Sequence, residues 1–310
     1  MKGQRPVRVR FSTICLILVF AGAIAEPVWA WGPVTHIGLG SRILSELCVL
    51  PAGVAWILRR HAAAFLFGNI AADVVFAKRW SRVKQFCHHW PTGFRLLETA
   101  ADDRASAFAY GYLSHLAADT VAHGKFVPRQ IVVSGSRINF GHLYWELRAD
   151  GLETDDQWRR LKSLLADDLS HHHDALAPHI TDTFLPYPMN RMLFHRVNNL
   201  VVKPQFRRSM ERLRLSSRWP LSAPLMSAYR GECVDRILSV LSEGTRSSLL
   251  REDPNGTSAL MELRIRRREL RRLRRRGLIT SHRLRETSLA FEPVARGPQT
   301  TASDSLATDQ

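Results

Sequence analysis

One apolar, alanine-rich run constrains this chain more than any other stretch. From Ala105 to Ala122 it reads ASAFAYGYLSHLAADTVA, its one charged residue is Asp119, and His115, Asp119 and His123 follow at four-residue intervals. Alanine favours helix, and the spacing is helical. On a helix each four-residue step turns by about 40°, so neighbours share a face while His115 and His123 diverge by about 80°. A buried helix tolerates imidazole and carboxylate groups only when they are paired or coordinated. The run therefore asks for a helical core built around a polar centre.

Further donors lie on either side: Trp31-x4-His36, Asp73, His88 or His89, and His142-x3-Glu146. His142 and Glu146 are one helical turn apart and can grip one ion from one face. Imidazoles mixed with carboxylates suit zinc. Nine candidate residues (Trp31, His36, Asp73, His88, His115, Asp119, His123, His142 and Glu146) are too many for one tetrahedral ion. The set implies two to three ions, with Asp119 placed to bridge two of them, and such clusters most often hydrolyse phosphate esters. His171-His172-His173 lies between Asp168 and Asp174 in a polar stretch and reads as a solvated helix face or loop. His61, His179, His195 and His282 have no partner spacing and read as structural or surface residues.

The rest of the pattern is helical. His36–Cys48, Ala52–Phe67, Leu96–His123, Thr154–Leu176, Met189–Leu215 and Gly231–Leu250 carry helix-period or helix-favouring apolar residues, and only Ile131-Val132-Val133 resembles a short strand. With 310 residues, 45% of them hydrophobic, the chain can bury a core in one large domain, with or without an appendage. The fold class is all-α, a multi-helix bundle with loops carrying part of the site.

The net charge of +16 is unevenly spread, since Arg264–Arg276 alone holds nine arginines. Asp253-Pro254-Asn255-Gly256 reads as a turn before a helix-like stretch, Ala259–Arg276, with a weak stripe of Leu260, Leu263, Leu270 and Leu273. A basic amphipathic helix suits an anionic membrane surface, and a solvated charge run is the plainer alternative. Nucleic acid would also be attracted, but the aromatic residues on which single strands stack are missing from the run. The Thr/Ser/Ala/Pro-rich end reads as disordered.

Lys2, Arg5, Arg8 and Arg10 precede an apolar run, Phe11–Ala25, that is short for a membrane span and reads as a secretory signal. The protein is thus expected to be exported, periplasmic or secreted. Cleavage fits before Glu26 or before Trp31; an uncleaved anchor is the alternative. Three cysteines remain afterwards (Cys48, Cys87 and Cys233), an odd number that argues against a disulfide framework. Cys87, beside His88, reads as a buried thiol. The chain divides into a signal peptide (1–30), a helical domain (31–250) and an Arg-rich helix with its tail (251–310).

The series Trp31, His36, Asp73, His88, His115-x3-Asp119, His123, His142-x3-Glu146 resembles the zinc-dependent phospholipase C family, which is itself similar to the S1/P1-type nucleases. Gly68-Asn69-Ile70-Ala71-Ala72-Asp73 and the stretch from Gly111 to Asp119 strengthen the likeness. It covers Trp31 to Glu146 by motif and the helical region to about residue 250 by fold. The resemblance implies a mostly helical domain holding three zinc ions and a mature chain that begins at Trp31, whose α-amino and carbonyl groups bind metal. Cleavage before Trp31 would then switch the site on, because only a free amine can ligate.

By the same resemblance Trp31, His36 and Asp119 hold one zinc. Asp73, His88, His115 and the shared Asp119 hold a second, and His123, His142 and Glu146 hold a third. Asp73 is the catalytic candidate, orienting or deprotonating the attacking water. The implied activity is hydrolysis of a phosphodiester, with a phospholipid as the expected substrate. A nuclease, another phosphoesterase and a non-catalytic metal-binding, membrane-associated protein are the alternatives. The chain departs from the family in placing three residues between Asp119 and His123, where characterised members have five. It also shows no strand alternation in its last sixty residues, so those residues are not expected to form the β-sandwich membrane domain of the clostridial toxins.

Overall fold

The computed structural model describes residues 31–76, 86–136, 138–181 and 183–280. The expected signal peptide and the expected disordered end lie outside the described residues. Among the described residues there is no strand, and no helix is long and apolar enough to cross a membrane.

The central element is helix α5 (Asp103–Val121), in chain order after α1 (Pro33–Ser45), α2 (Ala52–Arg60), α3 (Ala62–Ala71) and α4 (Trp90–Glu98). Asp102 starts it, its carboxylate accepting from the Ala105 amide at 2.7 Å. From Ala107 onward nearly every side chain of α5 is buried, because α3, α4 and the long α12 (Ala223–Glu243) pack around it. The closest approach is to α3. A Cβ at Gly68 would lie 2.1 Å from Phe108 O, and one at Gly111 would lie 2.0 Å from Phe65 O. Two glycines thus let the two backbones touch, which brings Asn69 and Asp73 alongside His115.

A π-helical turn, Ala122–Phe126, continues α5 into α6 (Val127–Ser134), and α7 (Ile138–Asp150) follows. Ile131-Val132-Val133 is therefore helical, not a strand. Pro128 in the first turn and Gly135 at φ +63° bound the helix, and Ile131 and Val132 supply its buried face. The remaining elements are α8 (Asp155–Leu164), α9 (Ser170–Leu176), α10 (Tyr187–Val201), α11 (Pro204–Ser216) and α13 (Thr257–Arg275).

Where the sequence reading ends the helical domain near residue 250, the chain goes on packing. Trp90 Nε1 donates to Glu252 O at 2.9 Å, and Arg236 pairs with Glu252 while donating to Thr120 Oγ1 at 2.7 Å. Leu263 and Leu270 of α13 are buried against the π-helical turn and α6. The arginine-rich helix is a wall of the domain.

Candidate metal centre

The centre is assembled on α5, whose His115 and Asp119 are essentially inaccessible to solvent. His115 Nε2 lies 3.1 Å from Asp119 Oδ2. Two short 3-10 turns bring further donors. Ala72–Val74, at the end of α3, presents Asp73, and Phe86–His88 presents His88. His88 Nε2 is 3.3 Å from Asp73 Oδ1, 3.3 Å from Asp119 Oδ2 and 3.1 Å from His115 Nε2. Zinc bonds of about 2.0–2.1 Å put the donors of a tetrahedral shell roughly 3.3 Å apart. The observed separations match the edges of such a shell and are longer than most N–H···O bonds. The donors present fit a zinc ion.

The other oxygen of Asp119 turns to α1, where His36 Nε2 lies 3.4 Å from Oδ1. The His36 and His115 rings stack at 4.0 Å and 15°. Burial first, and the charge of the stacked His115 second, lower the proton affinity of His36. Burial alone would raise the pKa of Asp119, but the charge and hydrogen bond of His115 and the hydrogen bonds of His36 and His88 outweigh it and hold the carboxyl well below the usual range. His36, Asp73 and His115 form one donor group able to hold a metal, and His88, His115 and Asp119 form another.

Trp31 is fully buried, its indole donating to Ala118 O at 3.2 Å and stacked on Phe126 at 4.6 Å. The start of α1 beside it is held by Asp150, the last residue of α7. The Asp150 carboxylate accepts from Val34 N at 3.3 Å, Thr35 N at 2.9 Å and Thr35 Oγ1 at 2.7 Å. It sits so close that a Cβ on Gly32 would lie 2.1 Å from Asp150 Oδ2. Burial pushes Asp150 up to about 6.

His123 stands in the π-helical turn with Nε2 3.6 Å from Asp119 Oδ2, and its ring is 5.0 Å from that of His142. His142 Nε2 is 3.4 Å from Glu146 Oε1, and both residues are buried. A π turn closes i to i+5 and so rotates less per residue than an α-helix, and such turns are frequent at functional sites. Asp119 and His123 are one helical turn apart and share a face, which lets the short Asp119–His123 interval bring His123 to Asp119.

A second layer orients these groups. His115 Nδ1 bonds Asn69 O at 2.9 Å, Cys87 Sγ contacts His88 Nδ1 at 3.3 Å, and Asn255 Nδ2 donates to His88 O at 3.0 Å. Of the two adjacent histidines, His88 faces the cluster and His89 is exposed. Cys48, Cys87 and Cys233 are all free thiols.

Sequence reasoning missed three of these supports. Asp150 extends the His142-x3-Glu146 rhythm by one more turn, a signal open to reading. Asn255 and Gly256 looked like a plain turn. Gly256 has φ +62°, and a Cβ there would lie 2.5 Å from His123 O. The histidine triplet needs correcting too. His171 is exposed, but His172 and His173 are buried, with His172 stacked on Phe108 at 5.1 Å. His173 Nδ1 meets Tyr187 Oη at 2.9 Å and its Nε2 meets His195 Nε2 at 2.8 Å.

An all-α domain that buries clustered imidazoles and carboxylates at zinc-shell spacings has the donor groups of a metal-binding protein. A family model described as zinc dependent phospholipase C matches residues 35–189, half of the chain, and the protein belongs to that family. No curated protein and no solved structure matches the chain. Family membership and donor chemistry together support a zinc-dependent hydrolase acting on phosphodiesters.

Proposed function

We propose that the protein is a phospholipase C-type enzyme that cleaves the phosphodiester of a phospholipid with the help of two to three zinc ions. The observation that carries the reading is the set of 3.1–3.3 Å separations linking Asp73, His88, His115 and Asp119 around one buried point. These four would hold one ion. Asp119 would share a second with His36 and the main-chain amine and carbonyl of Trp31, and His123, His142 and Glu146 would hold a third. Bound zinc supplies positive charge for the phosphate oxygens and acidifies a water toward neutral pH.

The chain's own groups do the rest. Asp73 is 14% exposed, whereas no other side chain of the set exceeds 3%, so it is the carboxylate with access to solvent and substrate. It orients the attacking water and takes its proton. The water oxygen bonds to phosphorus, the phosphorus–oxygen bond to diacylglycerol breaks, and the departing oxygen keeps that bond's electron pair and takes up the proton released from the water. Asn69 and Asn255 hold His115 and the His88 backbone in register, so little rearrangement is needed at reaction.

The reading also takes the protein to be exported and cut before Trp31, which frees the amine. The test is zinc per chain by elemental analysis on protein whose first residue is confirmed as Trp31 by mass spectrometry, alongside release of phosphorylated headgroup from phospholipid. Two to three zincs with headgroup release are expected. Zero or one zinc on such a chain would overturn the reading.

A further inference from the structure

Helix α13 takes no part in the metal centre, yet it is built with two opposed faces. At about 100° per residue, Ala259, Leu263 and Leu270 point together into the domain, and all three are buried. Arg267 Nη2 fastens the same side by donating to Gly135 O at 3.2 Å. The opposite face carries Arg264, Arg268, Arg271, Arg272 and Arg275, all exposed. Among them lie two apolar side chains turned to solvent, Met261 at 64% and Ile265 at 57% exposure. The nearby acid Glu269 is already paired with Arg266 at 2.8 Å. The helix is not a loose tail, because the turn that opens it is tied to His88 through Asn255 and packed on His123 through Gly256.

We infer that this outer face docks the domain on an anionic phospholipid surface. The inference rests on the phospholipid reading of the site. Charge complementarity selects an anionic partner. The embedded Met261 and Ile265 select a bilayer, whose acyl boundary takes up apolar side chains between basic ones. A phosphate backbone in water has no use for them, and the face has no aromatic residue on which bases could stack. Because α13 is fixed to the ligand-bearing turns, docking would hold the metal centre in one orientation to the surface.

The test uses the zinc-loaded mature chain, residues 31–310, sedimented with phosphatidylcholine vesicles that contain or lack phosphatidylglycerol. Binding is expected to the anionic vesicles and to weaken as salt rises. Each neutralised arginine should lower partitioning about fivefold. The combined Arg268→Gln, Arg271→Gln, Arg272→Gln and Arg275→Gln variant should therefore lose more than about a hundredfold. A Met261→Ser, Ile265→Ser variant, its charges intact, should lose about tenfold. Both variants should keep wild-type melting temperatures and wild-type hydrolysis of a soluble short-chain phosphodiester.

Equal binding to both vesicle types, or unchanged binding by the four-arginine variant, would overturn the inference. Tighter binding to duplex DNA than to anionic vesicles at the same salt would overturn it in favour of nucleic acid. Anionic vesicle binding without headgroup release would uphold the docking face and sink the enzymatic reading. Headgroup release from soluble substrate without vesicle binding would do the reverse.

Discussion

The domain holds two groups of buried and half-buried histidines, and they are built on opposite principles. In the first, His36, His88, His115, His123 and His142 are interleaved with Asp73, Asp119 and Glu146, and donors face one another at 3.1–3.6 Å. In the second, His172, His173 and His195 sit among Phe67, Phe108, Phe194 and Tyr187. There His173 bonds Tyr187 on one side and His195 on the other, a chain that closes on neutral rings. Burial, then neighbouring positive charge, pushes His172 down to about 4 and His173 down to about 3. The difference lies in the carboxylates. Imidazoles buried among aromatic rings neutralise themselves, whereas imidazoles buried with shared carboxylates create a place for a cation.

The comparison can be broken most sharply at Asp119, which four imidazole nitrogens of the first group approach. Asp119→Ala should remove two zinc ions at once and bring headgroup release to background, read by elemental analysis and by an activity assay. Full metal content in that variant would sink the bridging role. Next is Gly256→Ala, which forces a left-handed residue to carry a Cβ against His123. We expect a loss of about 2 kcal/mol or more in chemical denaturation, together with weaker zinc retention. Normal zinc retention would mean that the turn does not support the centre.

The second group is tested by acid. Folded His172 takes up a proton only near pH 4, whereas the unfolded chain does so near 6.5. Between those values the unfolded state binds the extra proton, so stability falls as pH drops from about 6.5 to about 4 and is fully present above that window. His172→Phe should remove on the order of 2 kcal/mol of this acid loss, measured as the flattening of denaturation midpoint against pH. An unchanged acid slope would show that the ring is not buried neutral. The smallest effect belongs to His171→Ala, an exposed side chain, where a change within about 0.5 kcal/mol is expected.

The contrast also explains what could be read in the sequence. His115 and Asp119 stood out because polar residues at helical spacing interrupt an apolar run, and both signals are local. His142 and Glu146 were legible for the same reason. The second histidine group was not, since His171-His172-His173 lies in a polar stretch and its burial comes from Phe67 and Phe108, remote in sequence. The stripe of Leu263 and Leu270 announced an amphipathic helix, but nothing local said that residues 122–126 would receive it. The π-helical turn at His123 was hidden too, because the four-residue spacing of His115, Asp119 and His123 is that of a regular α-helix.

The link from Asn255 and Gly256 back to His88 and His123 sets an order on biogenesis. All nine candidate donors have been synthesised by residue 146, but the turn that steadies two of them is made more than a hundred residues later. A chain emerging from the ribosome therefore carries a full complement of donors well before it can fix their positions. A product cut short at residue 250 would keep every residue of the zinc motif and still lack the turn that braces two of its histidines.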